Sequence, residues 1–300
     1  MNVIESRNLT KTFMRKKVLN EVSFTIEENK ITGLIGRNGV GKTTLLKIIA
    51  GFIRENSGDI RVFGQHPFNN LSASVNTIFV DDEMSFPPAL QLRELLEAGA
   101  TFYPNWNNEL AERLLNYFEF DPKHYHNTLS KGRTSTFNAI FGIAARCPLT
   151  ILDEPTTGMD EAVRKDFYRA LLKDYIAHPR TILLSSHHLD EIEDILEDVL
   201  LLKDGETALH LPISDLKEWA IGVRGQTSKV LQWVDGRDVL YQNQLGKDTL
   251  YITIKNDFSK IELEKAKLLN LEITPIKASD LCVYLTSESK GGIDDVFSDR

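Results

Sequence analysis

Three hundred residues exceed the usual single domain, so one large or two moderate domains are expected. At 42% apolar and 26% charged residues the chain can bury a substantial core, and its net charge of −8, with the signs interspersed, argues against a nucleic-acid surface and against direct adhesion to an anionic membrane. Cys147 and Cys282 are the only cysteines, far apart, which fits a reducing compartment and offers neither a CxxC nor a zinc pattern.

The opening MNVIESRNLTKTF is polar throughout and unlike a signal peptide. No apolar run reaches the length of a bilayer span, so work at a membrane would need a partner to provide it. KITGLIG (30–36) reads as a strand and KTTLLKIIAG as the helix after it. Further along, NTIFV (76–80), LTILD (149–153), TILLSS (181–186) and DVLLLK (198–203) read as strands, the second and third apolar enough to be buried on both faces. RELLEAGATF, NELAERLLNYF and EAVRKDFYRALLKDY read as the intervening helices. Such alternation predicts an α/β domain with a mostly parallel sheet up to about residue 212. Beyond it, QTSKVLQWVDG, DVLYQNQLG and KDTLYITIK read as short strands, FSKIELEKAKLLN as a helix and LEITPIK as a strand. That is a small α+β appendage closed by the polar tail SESKGGIDDVFSDR.

GRNGVGKTT (36–44) lies between a strand and a helix and satisfies G-x-x-x-x-G-K-[ST]. Gly36, Gly39 and Gly41 let the backbone curl so that its N–H groups face phosphate oxygens, with Arg37, Asn38, Val40 and Thr44 completing the cradle. Lys42 neutralises β- and γ-phosphates, and the Thr43 hydroxyl ligates Mg²⁺. LTILDEP supplies the other half of a nucleoside-triphosphate site: Asp153 as a strand-end carboxylate for the metal, Glu154 to polarise an attacking water. LSKGR (129–133) opens a helix, and its Ser-x-Gly is either a plain cap or an anion site. HYH (124–126) is weak evidence for a metal.

In their order and compact spacing these motifs resemble the ATP-binding subunit of a bacterial ABC transporter, of the drug- or antimicrobial-peptide-exporter type, over residues 1–210. GRNGVGKTT resembles that family's Walker A motif, LSKGR its signature, LTILDE its Walker B, EPTTGMD its D-loop and SSHH its switch-histidine region. The resemblance implies a P-loop nucleotide-binding domain (1–212, with a helical subdomain over about 82–147) followed by an accessory domain and tail (213–300). It implies ATP and Mg²⁺ as cofactors and ATP hydrolysis coupled to transport. Lys42, Glu154 and His187 would be catalytic, with His187 touching the γ-phosphate. Phe13 would stack on adenine. Ser130 and Gly132 would serve a nucleotide held by the opposing subunit, and Asp160 would link the two sites. Thr43 and Asp153 would hold the metal. In place of the family's usual glutamine after NTIFV the chain has VDDEM, so Asp81 or Asp82 stands there, Asp81 being assigned to the metal. Implied partners are a membrane-spanning permease and a second ATPase, identical or not, but no nucleic acid. The implied location is cytoplasmic, on the inner face of the membrane through the permease. The alternative is a regulatory or soluble ABC protein with weak hydrolysis.

Overall fold

The apolar runs become the centre of a sheet. In the computed structural model, which describes residues 1–287, chain order begins β1 (Asn2–Phe13), β2 (Lys16–Glu27), β3 (Ile31–Ile35), α1 (Lys42–Ile49), β4 (Ser57–Val62), α2 (Leu71–Val75) and β5 (Thr77–Val80). It continues α3 (Leu92–Phe102), α4 (Asn108–Tyr117), α5 (Lys131–Ala145), β6 (Leu149–Asp153), α6 (Glu161–Ala177), β7 (Thr181–Ser186), β8 (Asp198–Lys203) and β9 (Glu206–Pro212). Contacts divide the chain into two units, Met1–Ile213 and Ser214 onward.

In the first unit β3, β6 and β7 are buried at every residue, as strands covered on both faces must be. The sheet order is β5-β6-β7-β3-β8-β9, parallel except for the last strand. Register decides where chemistry can occur. Asp153 pairs with Ser185, and Ile35 with Ser186. The loops starting at residues 36, 154 and 187 therefore leave one sheet edge side by side, at the carboxyl ends of the strands where α/β sites form.

A second, antiparallel sheet, β2-β1-β4, shares one core with α1 and the large sheet. Leu45, Leu46, Ile48 and Ile49 of α1 are all buried in that core. Each such side chain stabilises by roughly 1.5–3 kcal/mol relative to exposure, so the helix is anchored firmly behind the loop that precedes it. Between β5 and β6 come α3, α4 and α5. Every residue of α5 from Ser135 to Ala145 is buried. Phe86, Tyr103 and Trp106 pack against its Phe141 with ring centroids 4.8–6.0 Å apart.

The second unit contains α7 (Ile213–Glu218), which begins at the boundary, then β10 (Ala220–Gln226), α8 (Thr227–Trp233), β11 (Val239–Gln244), β12 (Thr249–Lys255), α9 (Lys260–Leu268), β13 (Glu272–Pro275) and α10 (Ala278–Thr286). Its antiparallel sheet runs β11-β12-β10-β13 over a core that includes Val223, Val230, Ile252 and Leu271. One expectation is corrected here: QTSKVLQWVDG contains the helix α8, not a strand. Val230 within it and Val234 at its C-cap are both buried, four apart, which is helical spacing, and Trp233 stacks on Phe258 at 4.2 Å. The polar tail expected over 287–300 lies, past Ser287, outside the described residues.

Candidate active site

The turn from β3 into α1 needs backbone freedom. Gly39 has φ +80° and Gly41 φ +111°, and a Cβ on Gly41 would stand 2.8 Å from Leu19 Cδ2 and 2.9 Å from the Val18 carbonyl oxygen. Gly41 is thus the N-cap of α1, and the helix starts without a side-chain cap. Its first-turn N–H groups have no partner within the helix, and the dipole makes that end attractive to anions. Lys42 is 5% exposed. Its ammonium donates to the Gly36 carbonyl oxygen at 2.8 Å and lies 3.3 Å from Glu154 Oε1. A buried ammonium needs such partners, because taking it out of water is costly otherwise.

The edges of β6 and β7 supply the opposing charge. Asp153 is buried and accepts from the Ser185 hydroxyl at 2.5 Å. The same hydroxyl oxygen accepts the Glu154 N–H at 2.9 Å, so Ser185 fixes both the carboxylate of one residue and the backbone of the next. Glu154 has φ +46°, a left-handed conformation that costs a non-glycine residue on the order of 1–3 kcal/mol. The strained backbone carries its side chain to a place between two nitrogens: Lys42 Nζ at 3.3 Å and His187 Nδ1 at 3.1 Å. His188 instead donates its N–H to Ser186.

Lys42, Thr43, Thr44, Asp82, Asp153 and Glu154 are among the residues lining one cavity of about 370 Å³. This wall suits a magnesium nucleotide: an uncapped helix end and a buried ammonium for phosphates, and Thr43 with Asp153 as hard oxygen donors. Among the described residues no group of three or more His, Cys, Asp or Glu side chains is placed to hold a metal by itself. A cation here would share phosphate oxygens, as magnesium commonly does. Of the two aspartates after β5, Asp82 is on the cavity wall. Asp81 faces Lys47 at 3.8 Å, and burial pushes its carboxyl above the ordinary range while Lys47 pulls the other way.

Ser130 and Gly132 lie elsewhere, on a second cavity of about 250 Å³ whose lining includes Gly158 and Asp160. Ser130 is the N-cap of α5, yet its hydroxyl makes no cap bond. Gly132 is required for packing, because a Cβ there would stand 2.3 Å from the Gly158 carbonyl oxygen. Asp160 caps α6 by accepting the Val163 N–H at 2.9 Å. The loop between β6 and α6 divides the cavities: Thr157 faces the first, Gly158 the second. Phe13, at the end of β1, is 44% exposed beneath the Lys11 ammonium, 5.0 Å from the ring centre. His126 is buried against Phe86 and bonded through Nε2 to Asn138 at 2.8 Å, which makes that histidine of the HYH stretch structural. Sequence reasoning passed over Ser185, whose only signal is its register opposite Asp153.

Residues 19–157 match the ABC transporter family. The chain is similar to ABC transporter ATP-binding protein YtrB of Bacillus subtilis (strain 168), 31% identical over 222 residues, covering 74% of this chain and 76% of that protein. It is also similar to the bacitracin transport ATP-binding protein BcrA of Bacillus licheniformis, 27% identical over 72% of each. Among solved structures, a dimeric ATP-binding cassette in a post-hydrolysis state bound to ADP and Pi shares its fold, with TM-score 0.61 and 21% identity over 70% of this chain and 98% of the other.

Proposed function

This chain belongs to the family of ABC transporter ATP-binding subunits, and from that premise we propose that it energises an exporter of peptides, antibiotics or other amphipathic compounds. Its reaction is ATP hydrolysis. Glu154 orients the attacking water and takes up its proton. Lys42 and the first-turn amides of α1 hold the phosphates, and His187 steadies the Glu154 carboxylate and the γ-phosphate beside it. Mg²⁺ held by Thr43 and Asp153, with Asp82 on the same wall, would absorb charge developing on the phosphates. The observation that carries this reading is the Glu154 carboxylate poised between Lys42 and His187 at the cavity wall.

Two copies, or this chain and a related one, would place the α5 end of each against the nucleotide of the other. The unused Ser130 cap supports that reading, as does the dimeric cassette whose fold this chain shares. Closure on ATP and reopening after hydrolysis would drive a membrane-spanning permease. Among the described residues no helix is long and apolar enough to cross a membrane, so the permease would hold the chain at the inner face of the membrane. The exporter direction is supported by a relative named for SkfA peptide export, and an antibiotic cargo by the relative named for bacitracin transport. The unit from Ser214 onward would be an accessory domain.

Two measurements test this. Glu154→Gln is expected to lower steady-state ATP turnover by about 10²–10⁴ while ATP binding persists; near-wild-type turnover would sink the assignment. Affinity capture from detergent-solubilised native membranes is expected to recover a multi-span protein, and recovery of ribosomal or DNA-bound proteins alone would remove the transporter reading.

A further inference from the structure

α5 begins badly for a helix of fifteen residues. Its first turn carries Lys131 and Arg133 and no acid, although cations are disfavoured at that end of the dipole. The missing negative charge comes from another element: Lys131 Nζ lies 3.2 Å from Asp82 Oδ2. Asp82 is also the member of the Asp81–Glu83 triplet that lines the nucleotide cavity with Thr43 and Asp153. The other two face Lys47, at 3.8 Å and 3.4 Å. The stem of Lys131 extends toward Gly158, its Cγ 3.3 Å from where a Cβ there would stand. One ammonium therefore touches the wall of the first cavity while its own stem adjoins the second.

We infer that Lys131 is a positioning residue for the nucleotide site: through Asp82 it governs how readily the cavity takes up a divalent cation with its nucleotide. While Lys131 holds Asp82, that carboxylate is partly neutralised and turned from a cation in the cavity. A cation bound with nucleotide competes for Asp82 and frees the ammonium at the head of α5. The pair suits reversible exchange because it is largely exposed, 65% for Lys131 and 40% for Asp82. Such pairs contribute little and are easily outcompeted. This inference rests on the magnesium-nucleotide reading of the cavity.

The test is ATP binding to the full chain titrated with Mg²⁺, in a Glu154→Gln background that prevents turnover. Lys131→Gln is expected to lower the Mg²⁺ midpoint by about two- to fivefold, the range an exposed pair can supply. Lys131→Arg should keep the parental midpoint, and Asp82→Asn should raise it. The double variant Asp82→Asn, Lys131→Gln should behave like Asp82→Asn alone, because Lys131 acts through that carboxylate. An unchanged midpoint in Lys131→Gln or in Asp82→Asn, or a Lys131→Gln shift that persists without Asp82, would overturn the inference while leaving the cassette reading intact. Failure of the parental chain to bind ATP at any Mg²⁺ concentration would remove both.

Discussion

α1 and α5 both start without a side-chain cap, yet their surroundings differ in kind. Around the α1 end the chain gathers a buried ammonium, two strand-end carboxylates and a histidine, all from one sheet edge. Around the α5 end it gathers a serine, a glycine pressed onto a carbonyl, and a cavity whose lining has no ammonium facing a catalytic carboxylate. In the proposed function the first end performs the reaction and the second completes one in an opposing subunit. The difference teaches that an open helix end acquires meaning from the charges its neighbouring strands deliver, and not from the helix itself.

Four substitutions sharpen that contrast. The largest effect falls at the far end of α5, where Arg146 closes the helix and donates to Asp174 at 2.5 Å. Arg180, whose pKa burial lowers against the pull of Asp174, donates to the same carboxylate at 2.8 Å. Asp174→Ala strands two guanidinium groups and is expected to cost about 3–5 kcal/mol of stability, read by urea denaturation. A change under 1 kcal/mol would mean solvent reaches this network. Next comes Ser185→Ala, which removes the hydroxyl joining Asp153 to the Glu154 backbone. A loss of about 1–3 kcal/mol is expected, seen as slower ATP turnover at saturating ATP together with a lower melting temperature. Unaltered turnover would show that Glu154 is positioned without it. The smallest effect separates two caps. Asp160→Ala should cost about 1 kcal/mol of stability, the usual worth of a cap bond. Ser130→Ala, whose hydroxyl caps nothing, should leave stability within about 0.5 kcal/mol and lower ATP turnover only. Equal melting shifts in the two variants would erase the distinction between them.

The parallel strands and the loop after β3 were legible because each depends on local pattern: continuous apolar runs, and glycines spaced around one lysine. β1 and β2 were not. Their pairing slips at several points, and Asn8 and Glu21 take left-handed backbone, so the alternation that marks a half-buried strand is broken. β10, central in its sheet, hides behind Gly222 and Gly225. A Cβ on Gly222 would stand 2.7 Å from both Thr274 Oγ1 and Tyr251 Oη, so close packing there excludes the β-branched residues that signal a strand. At the site, Lys42, Thr43, Asp153 and Glu154 announce themselves by spacing. Ser185 and the pairing of Asp82 with Lys131 exist only once distant segments meet, and no local pattern carries them.

The left-handed backbone at Glu154 has a consequence for substitution. Glycine or asparagine would occupy that conformation with less strain than glutamate. As far as the main chain is concerned, the glutamate is the costlier occupant, and a change to glycine would relieve the backbone while deleting the carboxylate proposed to take up the water's proton.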